Sequence, residues 1–182
     1  MRASGSILNW MSELDDVWSA MLAKARENAA AAGRGDVAEY LDLKASNDLI
    51  RQTGVDWLFQ TLIEHASVAN RVRDAIAIER IEPHSFSFRG ANIVGASVSF
   101  RYGVRCLTVE AGWTRTPADG FMRGGGLAFA RFRHFGRPQA NLEAAIFGSP
   151  PVWKAIKDDH IGLEIHSEHL ERHIDLLVQD SP

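Results

Sequence analysis

In three places this chain sets arginine, serine, glycine or histidine at spacings that chemistry can use. The first is a pair of matching stretches, Ser85-Phe86-Ser87-Phe88-Arg89 and Ser97-Val98-Ser99-Phe100-Arg101. Both alternate strictly, and alternate positions of a pleated strand share a face, so each stretch gathers its serines and its arginine on one side. Arg131 and Arg133 are related in the same way. If a turn at 90–92 pairs Arg89 with Ile93, odd positions face odd ones, and Ser87, Arg89, Ser99 and Arg101 are predicted on one surface. Hydroxyls on the floor and guanidinium forks at the edges suit phosphate or carboxylate, because arginine presents five donors in a fixed plane. The same residues need no ligand if that face simply lies in water.

The second place is the connection 111–126. Pro117-Ala118-Asp119-Gly120 reads as a β-turn, and Gly124-Gly125-Gly126 lets backbone amides approach an anion, with Arg115 and Arg123 beside them. It is neither a P-loop nor a dinucleotide fingerprint, since a strand rather than a helix is expected to follow. A flexible hairpin connection accounts for the same glycines.

The third is the group His166, His169 and His173. His169 and His173 stand one helical turn apart, a spacing that can chelate zinc or a similar ion. The order of acid and histidine differs from a zincin helix, and a third ligand would have to come from His160, Glu164 or His134. Exposed histidines on a terminal helix are the plainer reading. Cys106 lies among Leu107 and Val109 and reads as an inert core thiol. Glu79, Glu82 and Glu110 would form a carboxylate pair only if their strands adjoin. No Gly-x-Ser-x-Gly elbow is present, and no motif assigns a cofactor.

The elements that must position these groups follow from periodicity. Apolar residues at three- and four-residue steps predict a helix over 11–32 closed by Gly33, another starting at Asp36, and a third over 53–69 capped by Thr53 and Asp56. Whether the second ends near Ser46 and Asn47 is left open by the pattern. Past Arg73 the period falls to two, predicting strands at 76–81, 85–89, 93–102, 104–110, 127–135 and 142–147. Residues 150–159 read as irregular, 161–166 as an optional strand, and Ser167 as the cap of a last helix reaching Val178. Short connections make the strands antiparallel. The expected fold is α+β: N-terminal helices at 11–73 packed on one face of a mostly antiparallel sheet of about six strands at 74–148, then an irregular segment and a C-terminal helix at 149–182. The whole chain, 1–182, is expected as one domain, with 1–10 a loose leader.

Composition excludes several classes. With 182 residues, 46% hydrophobic, 24% charged and a net charge of -3, the chain is neither a disordered tail nor a strongly basic nucleic-acid carrier. One cysteine rules out an internal disulfide framework, and no run of eighteen apolar residues suggests a membrane span, so a soluble cytoplasmic protein is expected. The net charge hides a pattern: residues 71–137 hold 11 basic and 5 acidic side chains, and all the basic ones are arginine. The sequence therefore favours a binding module for an anionic ligand, either a phosphate or carboxylate compound or a nucleic-acid backbone. The ligand set is Ser87, Arg89, Ser99, Arg101, Arg115, Arg123, Gly124, Gly125, Arg131 and Arg133. Two alternatives stand beside it. One is a metal-dependent hydrolase built on His169 and His173; the other is a homo-oligomeric subunit that associates through a sheet edge or the Ala-rich first helix.

Overall fold

The computed structural model describes residues 6–73, 76–120, 122–148, 150–158 and 160–179, and the side chains of 6–16, 18, 19, 73, 117 and 123 lie outside that description. The chain groups into two compact units, Met1–Leu49 and Ile50–Pro182. The first contains helix α1, Ser6–Ala31, and the first part of helix α2, Gly35–Arg73. Of the expected leader, residues 1–5 lie outside the described residues, and 6–10 are the opening turns of α1. Gly33 takes a positive φ of 72° and closes α1, with the Arg34 amide donating to the Ala29 carbonyl at 2.9 Å. Arg26 then meets Asp42 across the hairpin at 2.6 Å. No described helix is long and apolar enough to cross a membrane.

The second unit holds the rest of α2, a seven-stranded antiparallel sheet and helix α3, Ser167–Val178. The strands are β1 (Ala77–Phe88), β2 (Ala91–Tyr102), β3 (Arg105–Trp113), β4 (Phe129–His134), β5 (Leu142–Phe147), β6 (Val152–Lys157) and β7 (His160–Glu164). They are paired in chain order, so the sheet is a meander. This is the expected α+β class with seven strands in place of six. Residues 76–81 and 85–89 form one strand: the register shifts between Ile81 and His84, which absorbs Pro83 in an edge strand where its missing donor is tolerated.

α2 runs without the expected break, and Thr53 and Asp56 lie in its interior. Gly54, which looks like a stop signal, is there for packing. Its carbonyl accepts the Trp153 indole N–H at 2.9 Å, and a Cβ on it would lie 2.3 Å from Ile146 Cδ1. The main core forms where Val55, Leu58, Phe59, Leu62 and Ala66 of α2, with Leu170, Ile174 and Leu177 of α3, cover one face of the sheet at Val98, Phe100, Val109 and Phe132. A smaller cluster, Phe86, Phe88, Ala91, Ile93, Phe129, Ala145 and Ile156, lies on the other face and contains no helix residue.

Between β2 and β3 the backbones approach closely where Gly95 pairs with Gly112. A Cβ on Gly112 would lie 2.5 Å from the Val94 carbonyl oxygen, and one on Gly95 would lie 2.0 Å from that of Ala111. Backbone cannot yield as a side-chain tip can. Gly112→Ala should therefore lower the unfolding free energy by about 2 kcal/mol or more in urea denaturation; a change under about 0.5 kcal/mol would contradict this packing.

Candidate anion-binding face

Register decides which side chains share the helix-free face. One row across the sheet reads Ile81, Ser97, Glu110, Arg131, Glu143, Ile156 and Ile161 from β1 to β7. The next reads Glu79, Ser99, Thr108 and Arg133, and beyond it Ala77, Arg101 and Cys106 lie side by side. The middle strands β2 and β3 thus contribute Glu110 and Arg101 and, between them, small residues, Ser97, Ser99, Cys106 and Thr108. The flanking strands contribute larger ones, Ile81 and His84 on one side and Arg131 and Arg133 on the other. The result is a polar trough along the strands with hydroxyls on its floor.

Its electrostatics centre on Glu110, which is 7% exposed. One carboxylate oxygen accepts from Arg131 Nε at 3.0 Å, from Arg131 NH2 at 2.7 Å and from Arg133 NH2 at 2.7 Å. The other oxygen accepts from His84 Nε2 at 2.8 Å. Burial alone would raise the pKa of Glu110, but hydrogen bonds from His84, Arg131 and Arg133 overcome it and hold the group at about 2. An ionised carboxylate can only accept, so the proton of a neutral His84 sits on Nε2. Arg131 also donates to the Ser87 carbonyl at 3.3 Å and lies 5.2 Å from the Phe86 ring centroid.

The predicted ligand set is only partly brought together. Ser99, Arg101, Arg131 and Arg133 share this face. Ser87 does not, because the first hairpin turns on two residues, Arg89 and Gly90, with φ of 49° and 85°, and pairs Phe88 with Ala91. That primed-type turn follows the sheet twist and pairs Ile93 with Phe86, three residues from the expected Arg89, an odd slip that sends Ser85 and Ser87 to the opposite face. Arg89 sits in the turn itself and donates to Glu143 at 3.0 Å.

The glycine-rich connection lies elsewhere. Gly120 approaches Ala91 and Gly126 approaches Ala145, so the segment covers the apolar half of the face. Ala91 is ten residues along β2 from Arg101, roughly 33 Å of strand. Arg115 stacks over Trp113 at 3.8 Å, Gly124 and Gly125 are exposed with φ of 75° and 74°, and the Arg123 side chain lies outside the described residues. Asp119 is committed to the loop itself, accepting from the Arg115 and Thr116 amides, the Thr116 hydroxyl and Asn92.

The histidine pair is not arranged as a metal site. His169 Nδ1 accepts the His166 amide at 3.1 Å and caps α3, a role expected of Ser167, whose hydroxyl instead meets His65 Nε2 at 2.9 Å. His173 points inward, with its Nδ1 2.8 Å from His134 Nε2 and its ring stacked on Phe132. Among the described residues no group of three or more His, Cys, Asp or Glu could hold a metal ion. Two arginines, one at the start of β3 and one in the connection after β4, hold the far end of α3: Arg105 donates to the carbonyls of Leu177 and Gln179, and Arg137 to those of Leu176 and Gln179. These carbonyls have no partner within the helix, and cations suit that end of its dipole.

The sequence did offer a signal for Glu110, a single acid in the otherwise apolar run Leu107-Thr108-Val109-Glu110-Ala111. It gave none for the convergence of His84 and the two arginines upon it, or for the pairing of His134 with His173. None of the protein families, curated proteins or solved structures compared with the chain matches it.

Two pH effects follow. Glu110, held at about 2 from 4.5, contributes stability present above pH 4.5 and lost as pH falls toward 2, about 3 kcal/mol in all. His173 is lowered to about 4 by burial, with smaller effects from His134 and His169, and His134 is lowered by burial and by Arg137. Between pH 6.5 and 4 the unfolded chain binds more protons at these histidines, so stability should fall as pH drops through that window. His173→Asn, whose amide can replace Nδ1 without titrating, should flatten the fall in thermal unfolding profiles; an unchanged profile would contradict this role.

Proposed function

We propose that the protein is a binding module for a small anionic compound, a phosphate or carboxylate, held in the polar trough of the helix-free face by Arg133 and Arg101 over Ser99 and Thr108. One observation carries this reading: the trough gathers more cationic donors than its own acids use. Arg131 and Arg133 share a single carboxylate, and the Arg133 side chain stays 53% exposed, with NH2 its one engaged nitrogen among the described residues. Arg101, exposed at the end of the trough, has no ion-pair partner among the described residues. Glu79 and Glu143 are further acids on this face, and Glu143 accepts from Arg89. A ligand anion would find guanidinium donors set around hydroxyls, and the ionised Glu110 behind them fixes where the forks point.

Arg101 and the outward side of Arg133 favour a compact ligand over a nucleic-acid backbone, which proteins grip through many phosphate contacts. Calorimetric titration at low salt with inorganic phosphate, pyrophosphate, a series of dicarboxylates and a single-stranded oligonucleotide tests the reading. At least one small anion should bind, with Arg133→Ala and Arg101→Ala each weakening it about tenfold or more and Ser99→Ala less. No heat from any small anion, or binding indifferent to both arginines, would overturn it.

A further inference from the structure

We infer that the ligand of the trough is an aromatic carboxylate, whose carboxylate meets Arg101 and Arg133 and whose ring packs on Phe135. The inference rests on the anion-binding reading and deepens it. It begins with one more position on the helix-free face. The Phe135 amide donates to the Cys106 carbonyl at 2.8 Å, which carries the pairing of β3 with β4 one residue past the end of β4. Two residues after Arg133, Phe135 falls on the same face, and the row that begins with Ala77, Arg101 and Cys106 ends with it. Phe135 is 73% exposed.

A single apolar side chain in water is ordinary. What distinguishes this one is its neighbours. Cys106 alone separates it from Arg101 across the row, and Arg133 precedes it by two on its own strand. Arg101 and Arg133 start two strand spacings and one row apart, roughly 12 Å between backbones, with Cys106 and Thr108 between them. Directly opposed residues lie about 5 Å apart, so the Phe135 ring borders the space over Cys106. Short side chains leave that space open to a flat molecule lying on the sheet. A ring placed there meets the Phe135 ring in an offset or edge contact, and guanidinium planes stack on aromatic faces. An aliphatic body of the same size gains buried area alone.

Charge selects carboxylate over phosphate. With Glu143 matched by Arg89, the rows from Glu110 to the end of the trough set Arg101, Arg131 and Arg133 against Glu79 and Glu110. With His84 neutral, the excess is one positive charge. A carboxylate balances it, whereas the second charge of a phosphate dianion is left facing the two acids.

Calorimetric titration of the full chain with acetate, inorganic phosphate, cyclohexanecarboxylate and naphthoate tests this. Naphthoate should bind about tenfold or more tighter than any of the other three, and Phe135→Ala should erase that preference. Cys106 is the one cysteine of the chain and is half-buried, so its alkylation by iodoacetamide reports where the ring sits. Saturating naphthoate should slow that reaction severalfold. Acetate or phosphate binding as tightly as naphthoate, a preference that survives Phe135→Ala, or an unprotected Cys106 would overturn this inference and leave the anion-binding reading standing. No binding of any of the four, or naphthoate binding indifferent to Arg101→Ala and Arg133→Ala, would overturn both.

Discussion

The helix-free face depends on one electrostatic constraint: a single nearly buried carboxylate faces two guanidiniums and an imidazole that arrive from two other strands. Glu110 lies on β3, His84 on β1, and Arg131 and Arg133 on β4. A buried carboxylate without partners would be protonated or would destabilise the sheet, and two adjacent guanidiniums without an acid would repel one another. Each group is tolerable because the others are there, and they hold together only if β1 to β4 keep their register. The hydroxyl floor between them, Ser97, Ser99 and Thr108, is positioned by that same register.

The two faces of the sheet use arginine differently. At the edge of the helix-covered face Arg105 and Arg137 hold α3 by its terminal carbonyls, fixing the helix whose His173 meets His134. On the other face Arg131 and Arg133 are gathered by Glu110, and Arg89 by Glu143 at the neighbouring turn. Much of the cationic excess of the sheet region is thus engaged within the fold, and the part left for the proposed ligand narrows to Arg101 and the outward side of Arg133.

Much of the fold was legible because periodicity reports directly on which side of an element faces a core. Leu58, Phe59, Leu62 and Ala66 at helical spacing, and Val98 and Phe100 at strand spacing, are buried in that pattern. What was not legible turned on single residues and long separations. Whether Arg89 and Gly90 alone make the first turn decides the face of Ser87, and strand composition does not decide it. β6 was missed because Pro150 and Pro151 precede it and its buried residues, Trp153 and Ile156, fall on opposite faces, so no alternation announces it. Thr53 and Asp56 read as a helix cap because their side chains suit one, whereas they lie inside the single helix α2. His134 and His173 are 39 positions apart, and nothing local to either predicts the other.

The most direct test of the central claim is a double-mutant cycle on Glu110 and Arg131, with Glu110→Gln and Arg131→Gln made singly and together and unfolding free energies measured near neutral pH. The account predicts strong coupling, about 2 kcal/mol or more, because removing either partner leaves the other uncompensated in a site shielded from water. Coupling below about 0.5 kcal/mol, with the two substitutions simply additive, would show that the carboxylate does not organise this face.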